Sequence, residues 1–271
     1  NDINNLIEAQ IDSNSTTLIK FNNTLFSVPS PYEVSYLIKR ESIEYNKEIL
    51  NPTNRSHNYT NNFKKALNMG VYGADLGYLN IYQQTPEAVN YFSTVKILAQ
   101  ELNMSNAFDK KTIQSIENNM GNTDSLMFII SNTYRRADEY LKDNGREDDG
   151  VLILAGGWIE SLYILVEIAD LDKNTEVIIR IGEQKHPLDN LIKILSPFYN
   201  NSAEFSELID MLIDLAYEFD GIDIHYTYEE PTIDVANKLT TINSKSELVM
   251  TDQQLKIISE KVSDIRKFIV E

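Results

Sequence analysis

The chain of 271 residues contains no cysteine, which excludes disulfide bonds, thiolate metal ligands and cysteine nucleophiles together. Its three histidines, His57, His186 and His225, are far apart and form neither an HExxH nor a His-x-His pattern, so no zinc site is predicted. The sequence also lacks a Gly-x-Ser-x-Gly elbow and a GxxxxGK[ST] phosphate loop. We therefore predict no catalytic residue, no metal ligand and no cofactor from short motifs.

Basic residues are scarce: 24 Lys and Arg stand against 41 Asp and Glu, which gives a formal net charge of −17. A surface this acidic repels phosphates, so nucleic acid and anionic membrane faces are excluded as partners. Between Lys193 and Lys238 there are ten acidic residues and no Lys or Arg. Four of these acidic residues have helical spacing: Glu207, Asp210, Asp214 and Glu218. We interpret them as the solvated face of an amphipathic helix, with weak divalent-cation binding as the alternative.

No uninterrupted run approaches 18 apolar residues, so no membrane span is predicted. Hydrophobic residues still make up 42% of the chain, with 15 Tyr and 10 Phe, which is enough for a large core. Residues 1–15 are polar and are interpreted as a tether. Because the chain opens on Asn1 rather than Met, any export signal would precede it.

Apolar periodicity predicts a mostly α protein, either a multi-helix antiparallel bundle or a helical-hairpin array. Ser30-Pro31, Thr85-Pro86-Glu87 and Thr251-Asp252-Gln253-Gln254 each have the composition of a helix start. The predicted helices cover residues 31–50, 63 onward, 86–102, 109–119, 123–143, 149–170, 173–185, 187–196, 202–219 and 252–270.

Two regions favour strands. Residues 16–28 suit two short strands around Asn22-Asn23, and residues 222–250 contain an alternating segment followed by a second strand candidate. We predict that these N- and C-terminal segments form one small β element. Because no Pro/Gly/Ser linker interrupts residues 63–219, we predict a single domain over residues 16–271.

The most unusual segment is Gly70-Val-Tyr-Gly-Ala-Asp-Leu-Gly-Tyr78. Each glycine inside a helix costs about 1 kcal/mol relative to Ala, so something must offset that cost. One interpretation is a ligand approaching the backbone, with Tyr72, Asp75, Tyr78 and Tyr82 as polar groups. The favoured interpretation is a tight crossing of two helices with packed tyrosines.

A second glycine-rich segment, Ala155-Gly-Gly-Trp-Ile-Glu160, contains the only tryptophan, Trp158. Glu160 lies on an apolar helix, where burial would raise its pKa as a general acid requires. A structural role is favoured, in which Glu160 pairs with a cation or a backbone amide, and Arg180 is an available type of partner. Residues 180–187 also gather polar groups that suit either a carboxylate or phosphate site or, preferably, a hydrated helix end.

Several segments together resemble an uncharacterised family of Bacteroidetes cell-envelope lipoproteins. They are Phe26-Ser-Val-Pro-Ser-Pro31, Gly70-Val-Tyr-Gly-Ala-Asp-Leu-Gly-Tyr78, Gly156-Gly-Trp-Ile-Glu160, Arg180-Ile-Gly-Glu-Gln-Lys185 and Thr240-Thr-Ile-Asn-Ser-Lys-Ser246. The resemblance spans nearly the whole chain and implies an exported protein on the periplasmic side, held by a lipid anchor before Asn1. The family has no assigned activity, so the resemblance implies no catalytic residues.

Three functions follow as hypotheses. The leading one is a non-enzymatic binding or scaffolding module of the bacterial cell envelope, whose partner is an envelope protein or a small-molecule ligand. The second is an enzyme that uses Asp75 and Glu160 as an acid/base pair; glycosidase chemistry would need carboxyls roughly 5–10 Å apart. The third is a tetratricopeptide-like helical adaptor, suggested by the outline of residues 66–103. The candidate ligand-binding residues are Tyr72, Asp75, Tyr78, Trp158, Glu160 and Arg180.

Overall fold

A computed structural model describes residues 17–21, 24–28, 37–38, 40–104, 110–119, 122, 125, 129, 140–234, 239–241 and 245–271. Over these residues the chain is mainly helical, which confirms the predicted fold class. The helices are α1 (Asn62–Ile81), α2 (Thr85–Glu101), α3 (Lys110–Asn119), α4 (Glu147–Asp172), α5 (Thr175–Gly182), α6 (Lys185–Leu195), α7 (Ala203–Asp220) and α8 (Asp252–Val270).

Short polar side chains fix where several helices begin. Asn61 accepts a hydrogen bond from the Lys64 N–H at the start of α1. Thr251 and Gln254 form a reciprocal capping box at the start of α8, as the sequence predicts. Such caps satisfy N–H groups that have no partner within the helix, so these boundaries are encoded locally.

Helix α4 is the centre of the bundle. It packs along α1, α2 covers the other side of α1, and α8 returns to contact α4, α1 and α7. Contacts between the last helix and these much earlier helices differ from a tetratricopeptide array, in which each hairpin touches only its neighbours. The packing is therefore that of a bundle rather than of a hairpin array.

Glycines allow α1 and α4 to cross with their backbones in contact. A Cβ atom placed on Gly70 would lie 2.0 Å from the Ile153 carbonyl oxygen, and one on Gly156 would lie 1.9 Å from that of Leu67. Neither position has room for a side chain, which explains why glycine stands at both despite its cost within a helix. The tight helix crossing is therefore the correct interpretation of both glycine-rich segments.

By length and composition α4 could cross a membrane, since residues Glu147–Leu171 form a long apolar helix. However, 72% of that apolar stretch is buried inside the molecule. Trp158, Ile159 and Leu162 are fully buried. The hydropathy of α4 thus reflects its central position in the core, and it is no evidence for a membrane span.

The strands form three separate antiparallel ladders. Their bounds are β1 (Thr17–Phe21), β2 (Thr24–Val28), β3 (Asp223–Thr227), β4 (Thr232–Asp234), β5 (Leu239–Thr241) and β6 (Lys245–Val249). β1 pairs with β2, β3 with β6 and β4 with β5. In the described residues no pairing joins the two ends of the chain, which differs from the single β element we predicted. Pairing across a short turn closes a smaller loop and so loses less chain entropy.

The predicted helix over residues 31–50 ends earlier than expected. Residues 37, 38, 40 and 41 are helical, and Ser42 then adopts a left-handed φ of 55°. The Ile43 N–H donates to the Ile38 carbonyl at 3.2 Å, which closes the helix as in a Schellman motif. The chain continues through 3₁₀ turns at Lys47–Ile49 and Thr53–Asn58, which lay it against α1.

Some sequence predictions concern residues outside this description. They are the tether over residues 1–15, the helix start at Ser30-Pro31 and most of the predicted helix over residues 123–143.

Candidate functional site

Asp75 of α1 and Glu160 of α4 meet in the core, close to the glycine crossing. Both side chains are fully buried, and the carboxyl groups are close enough to act on each other electrostatically. We call these two residues the carboxyl pair. The two carboxyls that the enzyme hypothesis pairs therefore lie near each other, and both are enclosed by the core.

Arg266 of α8 is the cation beside this pair. Its Nε and Nη2 atoms donate to the two Glu160 carboxylate oxygens, each at 2.9 Å. Nη2 also donates to the Ile49 carbonyl at 3.1 Å, and the guanidinium lies 4.2 Å from the centre of the Tyr163 ring. A planar guanidinium matches a carboxylate in this two-bonded geometry, so α8 is joined to α4 by a directional contact.

The surroundings of Asp75 favour its protonated form. Burial raises the pKa of Asp75 well above its usual range, and the nearby Glu160 carboxylate raises it further. Arg266 and the Asn51 N–H, which donates to Asp75 Oδ2 at 3.2 Å, act in the opposite direction without cancelling the effect. In the described structure Asp75 Oδ1 is buried and has no hydrogen-bond partner. Burial and the neighbouring carboxylate therefore both favour the neutral form of Asp75.

Burial acts to lower the pKa of Arg266, but the Glu160 carboxylate outweighs it, and the pKa of Arg266 is raised. The guanidinium therefore stays charged. With Asp75 in its neutral form, one carboxylate, that of Glu160, faces one guanidinium, which is the balance of charge that burial favours.

A second buried network holds the C-terminal end of α8. Asn51 Nδ2 donates to the Tyr59 hydroxyl at 3.0 Å and to Asn68 Oδ1 at 3.3 Å. Asn68 Nδ2 donates to the Ile269 carbonyl at 2.9 Å, and the Tyr59 hydroxyl donates to the Val270 carbonyl at 3.4 Å. The last carbonyls of a helix have no partner within it, and here α1 and the preceding segment supply donors.

Lys64 completes this attachment. Its ammonium donates to the Phe268 carbonyl and lies 4.5 Å from the centre of the Phe268 ring. The described end of α8 is thus held by donors from two parts of the fold, in addition to the contact through Arg266.

Tyr45, Tyr78 and Tyr82 form an aromatic cluster with ring centres 4.8 to 5.8 Å apart. The Tyr78 hydroxyl accepts from the Asn46 N–H at 3.0 Å, and the Tyr82 hydroxyl donates to the Ile43 carbonyl at 3.0 Å. Burial, followed by the charge of Glu87, raises the pKa of Tyr45 to about 12. The rings pack on one another, so this cluster fastens residues 43–46 to α1.

The remaining predicted site residues have structural contacts. Tyr72 is fully buried and its hydroxyl donates to the Pro52 carbonyl at 3.0 Å. Trp158 is also fully buried and its Nε1 donates to Gln184 Oε1 at 3.3 Å. Arg180 pairs with Glu183 at 2.8 Å, whereas the partner of Glu160 is Arg266. The cation beside Glu160 therefore comes from the last helix, and Arg180, the candidate that the sequence offered, pairs with Glu183 instead.

Arg266 was not among the candidates, although the sequence contains a signal for it. It lies four residues after Val262 and three before Ile269, both of which are buried on the inner face of α8. A basic residue flanking an apolar helical face indicates a buried counter-charge. The sequence does not indicate which acidic residue supplies that charge.

The acidic stretch forms the outer face of α7, as predicted. Tyr199 donates to both carboxylate oxygens of Asp210 at 3.2 Å, and Lys261 of α8 pairs with Asp214 and, at 3.5 Å, with Glu218. Tyr217 is 70% exposed on this helix. The face therefore combines carboxylates with accessible aromatic surface.

Fold and site together define a mainly helical bundle with a buried Asp–Glu–Arg cluster. Comparisons of this chain with protein-family models, with curated proteins and with solved structures find no match. Its function is accordingly inferred from its own residues.

Proposed function

We propose that this protein is a non-enzymatic binding module of the bacterial cell envelope that engages a protein partner through its surface. The observation that carries the proposal is the complete burial of Asp75 and Glu160, the second of which is held by two hydrogen bonds from Arg266. A substrate would have to separate these groups and enter the core to reach them. Their arrangement suits holding helices together better than meeting a substrate.

The outer face of α7 is the surface that best supports binding. Three exposed tyrosines, Tyr199, Tyr217 and Tyr228, all lie in the stretch that contains ten acidic residues and no Lys or Arg. Tyrosine is enriched at protein interfaces because it offers apolar area together with a hydroxyl, and charge complementarity selects the partner. We infer that the partner presents a cationic surface.

The envelope assignment is supported by the resemblance to envelope lipoproteins and by the polar composition of residues 1–15. A polar tether behind a lipid anchor would hold the helical bundle away from the membrane surface. The partner is then another envelope protein that reaches the periplasmic side. Fractionation of cells that express the natural full-length protein tests this placement, since recovery in the soluble cytoplasmic fraction would contradict it.

A capture experiment with matched variants tests the binding function. The purified protein is cross-linked to a detergent-solubilised envelope fraction, and the same is done with Asp210→Asn combined with Tyr217→Ala. The control combines Asp143→Asn and Asp170→Asn, two exposed acidic residues outside the α7 face. We expect a protein retained by the wild type and the control and lost from the α7 variant. Equal capture by all three, or none by any, contradicts the proposal.

Activity assays test the alternative, that the protein is an enzyme. The purified protein is incubated with a panel of chromogenic glycosides, and any turnover is compared with that of Asp75→Asn. A binding module gives no turnover above that of buffer. Turnover that disappears in a folded Asp75→Asn variant would overturn the proposal in favour of a carboxylate-dependent enzyme.

A further inference from the structure

The strands between α7 and α8 form one antiparallel arm. β3 pairs with β6, and inside that pairing β4 pairs with β5, so the strands are nested in the order of a single long hairpin. The outgoing strand advances five residues from Thr227 to Thr232, and the return strand advances four from Thr241 to Lys245. A one-residue difference of this kind is that of a β-bulge, which bends a hairpin without ending it. We call β3 to β6 the β-arm.

The base of the β-arm is fixed to the helical bundle. Ile222, directly before β3, is buried in the core, and the Gly221 carbonyl accepts a hydrogen bond from Gln254 Nε2 of α8 at 2.6 Å. On the return strand Leu248 packs on Gly182 of α5, where a Cβ atom would lie 2.3 Å from the Leu248 Cδ1 atom. The β-arm therefore leaves the bundle at a defined place, directly after the acidic helix α7.

Beyond this base the outgoing strand is open to solvent. Residues 227–232 are all exposed, and Tyr228 has 66% of its surface accessible. Among the described residues each ladder of the β-arm contains two strands. Such strands have backbone N–H and C=O groups that point away from their neighbour, and a two-stranded hairpin by itself is barely stable in water. The outer edge of β3 is thus able to pair with a further strand.

The two edges of the β-arm differ in charge. The outgoing strand contains no Lys or Arg and four acidic residues, which are Asp223, Glu229, Glu230 and Asp234. On the return strand β6 carries one charge of each sign, at Lys245 and Glu247. The acidic edge continues the charge of α7, which ends three residues before β3 begins. A strand with basic side chains therefore meets opposite charges along the outgoing strand and balanced charges along β6.

The same charges disfavour a second copy of this chain as the occupant of that edge. Two β3 strands paired with each other would bring the acidic residues of both copies onto one short ladder. Like charges on neighbouring strands destabilise a ladder, and the net charge of −17 adds repulsion between the two copies. A basic strand gains attraction where a second copy meets repulsion, so charge selects a different protein as the partner.

We propose that the outer edge of β3 accepts an extended segment of a protein partner that contains lysine or arginine, and that this segment pairs with β3 as an additional strand. In this mode of recognition backbone hydrogen bonds supply affinity, and side chains at alternate positions supply specificity. The acidic residues of the outgoing strand select the basic side chains. The inference rests on the proposed binding function and adds the form of the segment that the partner presents.

A matched set of peptides tests the strand pairing. The probe is a fluorescent peptide of alternating lysine and valine, and its binding is measured by anisotropy. It is compared with the same peptide N-methylated on every second residue, which keeps the charge but loses N–H donors, and with a peptide of alternating glutamate and valine. We expect both comparison peptides to bind at least about tenfold more weakly. Equal binding of the methylated peptide overturns the proposal, because charge alone would then account for it.

Charge variants locate the binding on the β-arm. Glu229→Lys combined with Glu230→Lys should weaken binding of the lysine–valine peptide by about tenfold or more. The control combines Asp143→Lys with Asp170→Lys, which changes the net charge equally at two exposed positions outside the β-arm. The control should bind as the wild type does. Equal weakening in both variants, or weakening in neither, overturns the proposal.

A measurement on the wild type alone keeps the test independent of how the variants fold. Residue-resolved amide exchange is followed by nuclear magnetic resonance with and without the lysine–valine peptide. The peptide should protect the outward-facing amides of β3 and leave those of β6 unprotected. Protection confined to α7 or to the outer edge of β6 overturns the proposal. So does sedimentation of the protein alone as a dimer in which the β3 amides are already protected.

The outcome is separable from that of the capture experiment on the α7 face. If capture depends on Asp210 and Tyr217 while no peptide protects β3, this inference fails and the proposed function stands. If the peptide protects β3 while no envelope protein is captured, the proposed function fails and β3 remains a site for a basic strand.

Discussion

Glu160 and Arg266, separated by 106 residues, are joined by two parallel hydrogen bonds of 2.9 Å each. Glu160 is fully buried, and the Arg266 side chain is only 12% exposed. The contact joins the central helix of the bundle to its last helix, which makes it a long-range determinant of how the chain closes on itself. Its energetic role leads to the first prediction.

Arg266→Met should destabilise the protein by about 3–5 kcal/mol, because it leaves the Glu160 carboxylate buried without its cation. The free energy of unfolding is measured by urea denaturation. Arg180→Met is the comparison, since Arg180 forms a more exposed pair with Glu183 and should lose no more than about 1 kcal/mol. Combining Arg266→Met with Glu160→Gln should restore part of the loss, and a purely additive result would contradict the pairing.

Gly156→Ala should destabilise the bundle by about 1–3 kcal/mol or more, because its Cβ would overlap the Leu67 carbonyl at 1.9 Å. Helix propensity alone predicts the opposite sign, a gain of about 1 kcal/mol. Gly221→Ala is the control, since the nearest atoms to a Cβ there are 3.5 Å away. Thermal denaturation followed by circular dichroism measures both variants, and a stabilised Gly156→Ala would refute the close crossing.

Asp75→Asn should change how global stability depends on pH. The pKa of Asp75 is raised on folding, so its contribution is fully present below the unfolded pKa, about 4, and is lost as pH rises through the folded pKa. The wild type should therefore weaken relative to the variant by up to about 1.4 kcal/mol per pH unit in that window. Urea denaturation at pH 5 and pH 8 measures this, and parallel pH profiles would exclude the protonated acid.

Asn68→Leu should cost about 1–3 kcal/mol, since it removes the side-chain donor to the buried Ile269 carbonyl and one of the two acceptors of Asn51 Nδ2. The loss should be concentrated at the end of α8, where amide exchange should accelerate. Ser93→Ala removes an exposed bond to the Val89 carbonyl and serves as the control, with a change within about 0.5 kcal/mol. Uniform acceleration across all helices would show that Asn68 does not act at α8 in particular.

Local signals predicted much of the helical fold. The capping box at Thr251, the proline at the start of α2 and the apolar faces of α7 and α8 depend on neighbours within a few residues. The glycines within the helical pattern also predicted a close crossing of two helices, because the helix stability that each glycine costs must be offset by packing. Periodicity and caps are properties of a short segment, so they can be evaluated without the tertiary structure.

Contacts between residues that are far apart in the chain could not be predicted from such local signals. Arg180 and Arg266 are equally available to Glu160 in the sequence, and only the return of α8 onto α4 decides between them. The early helix end at Ser42 likewise depends on tertiary packing, since Tyr78 and Tyr82 bond to residues 43–46 of the segment that follows. Long-range pairing is a property of the assembled core.

Trp158 gives the protein an internal optical reporter. It is the only tryptophan in the chain, and it is fully buried on α4 with its indole N–H bonded to Gln184. Its fluorescence therefore follows the centre of the bundle, whereas circular dichroism follows all the helices at once. If residues 16–271 fold as one domain, the two signals will change at the same denaturant concentration. Different midpoints would reveal a part of the chain that unfolds independently.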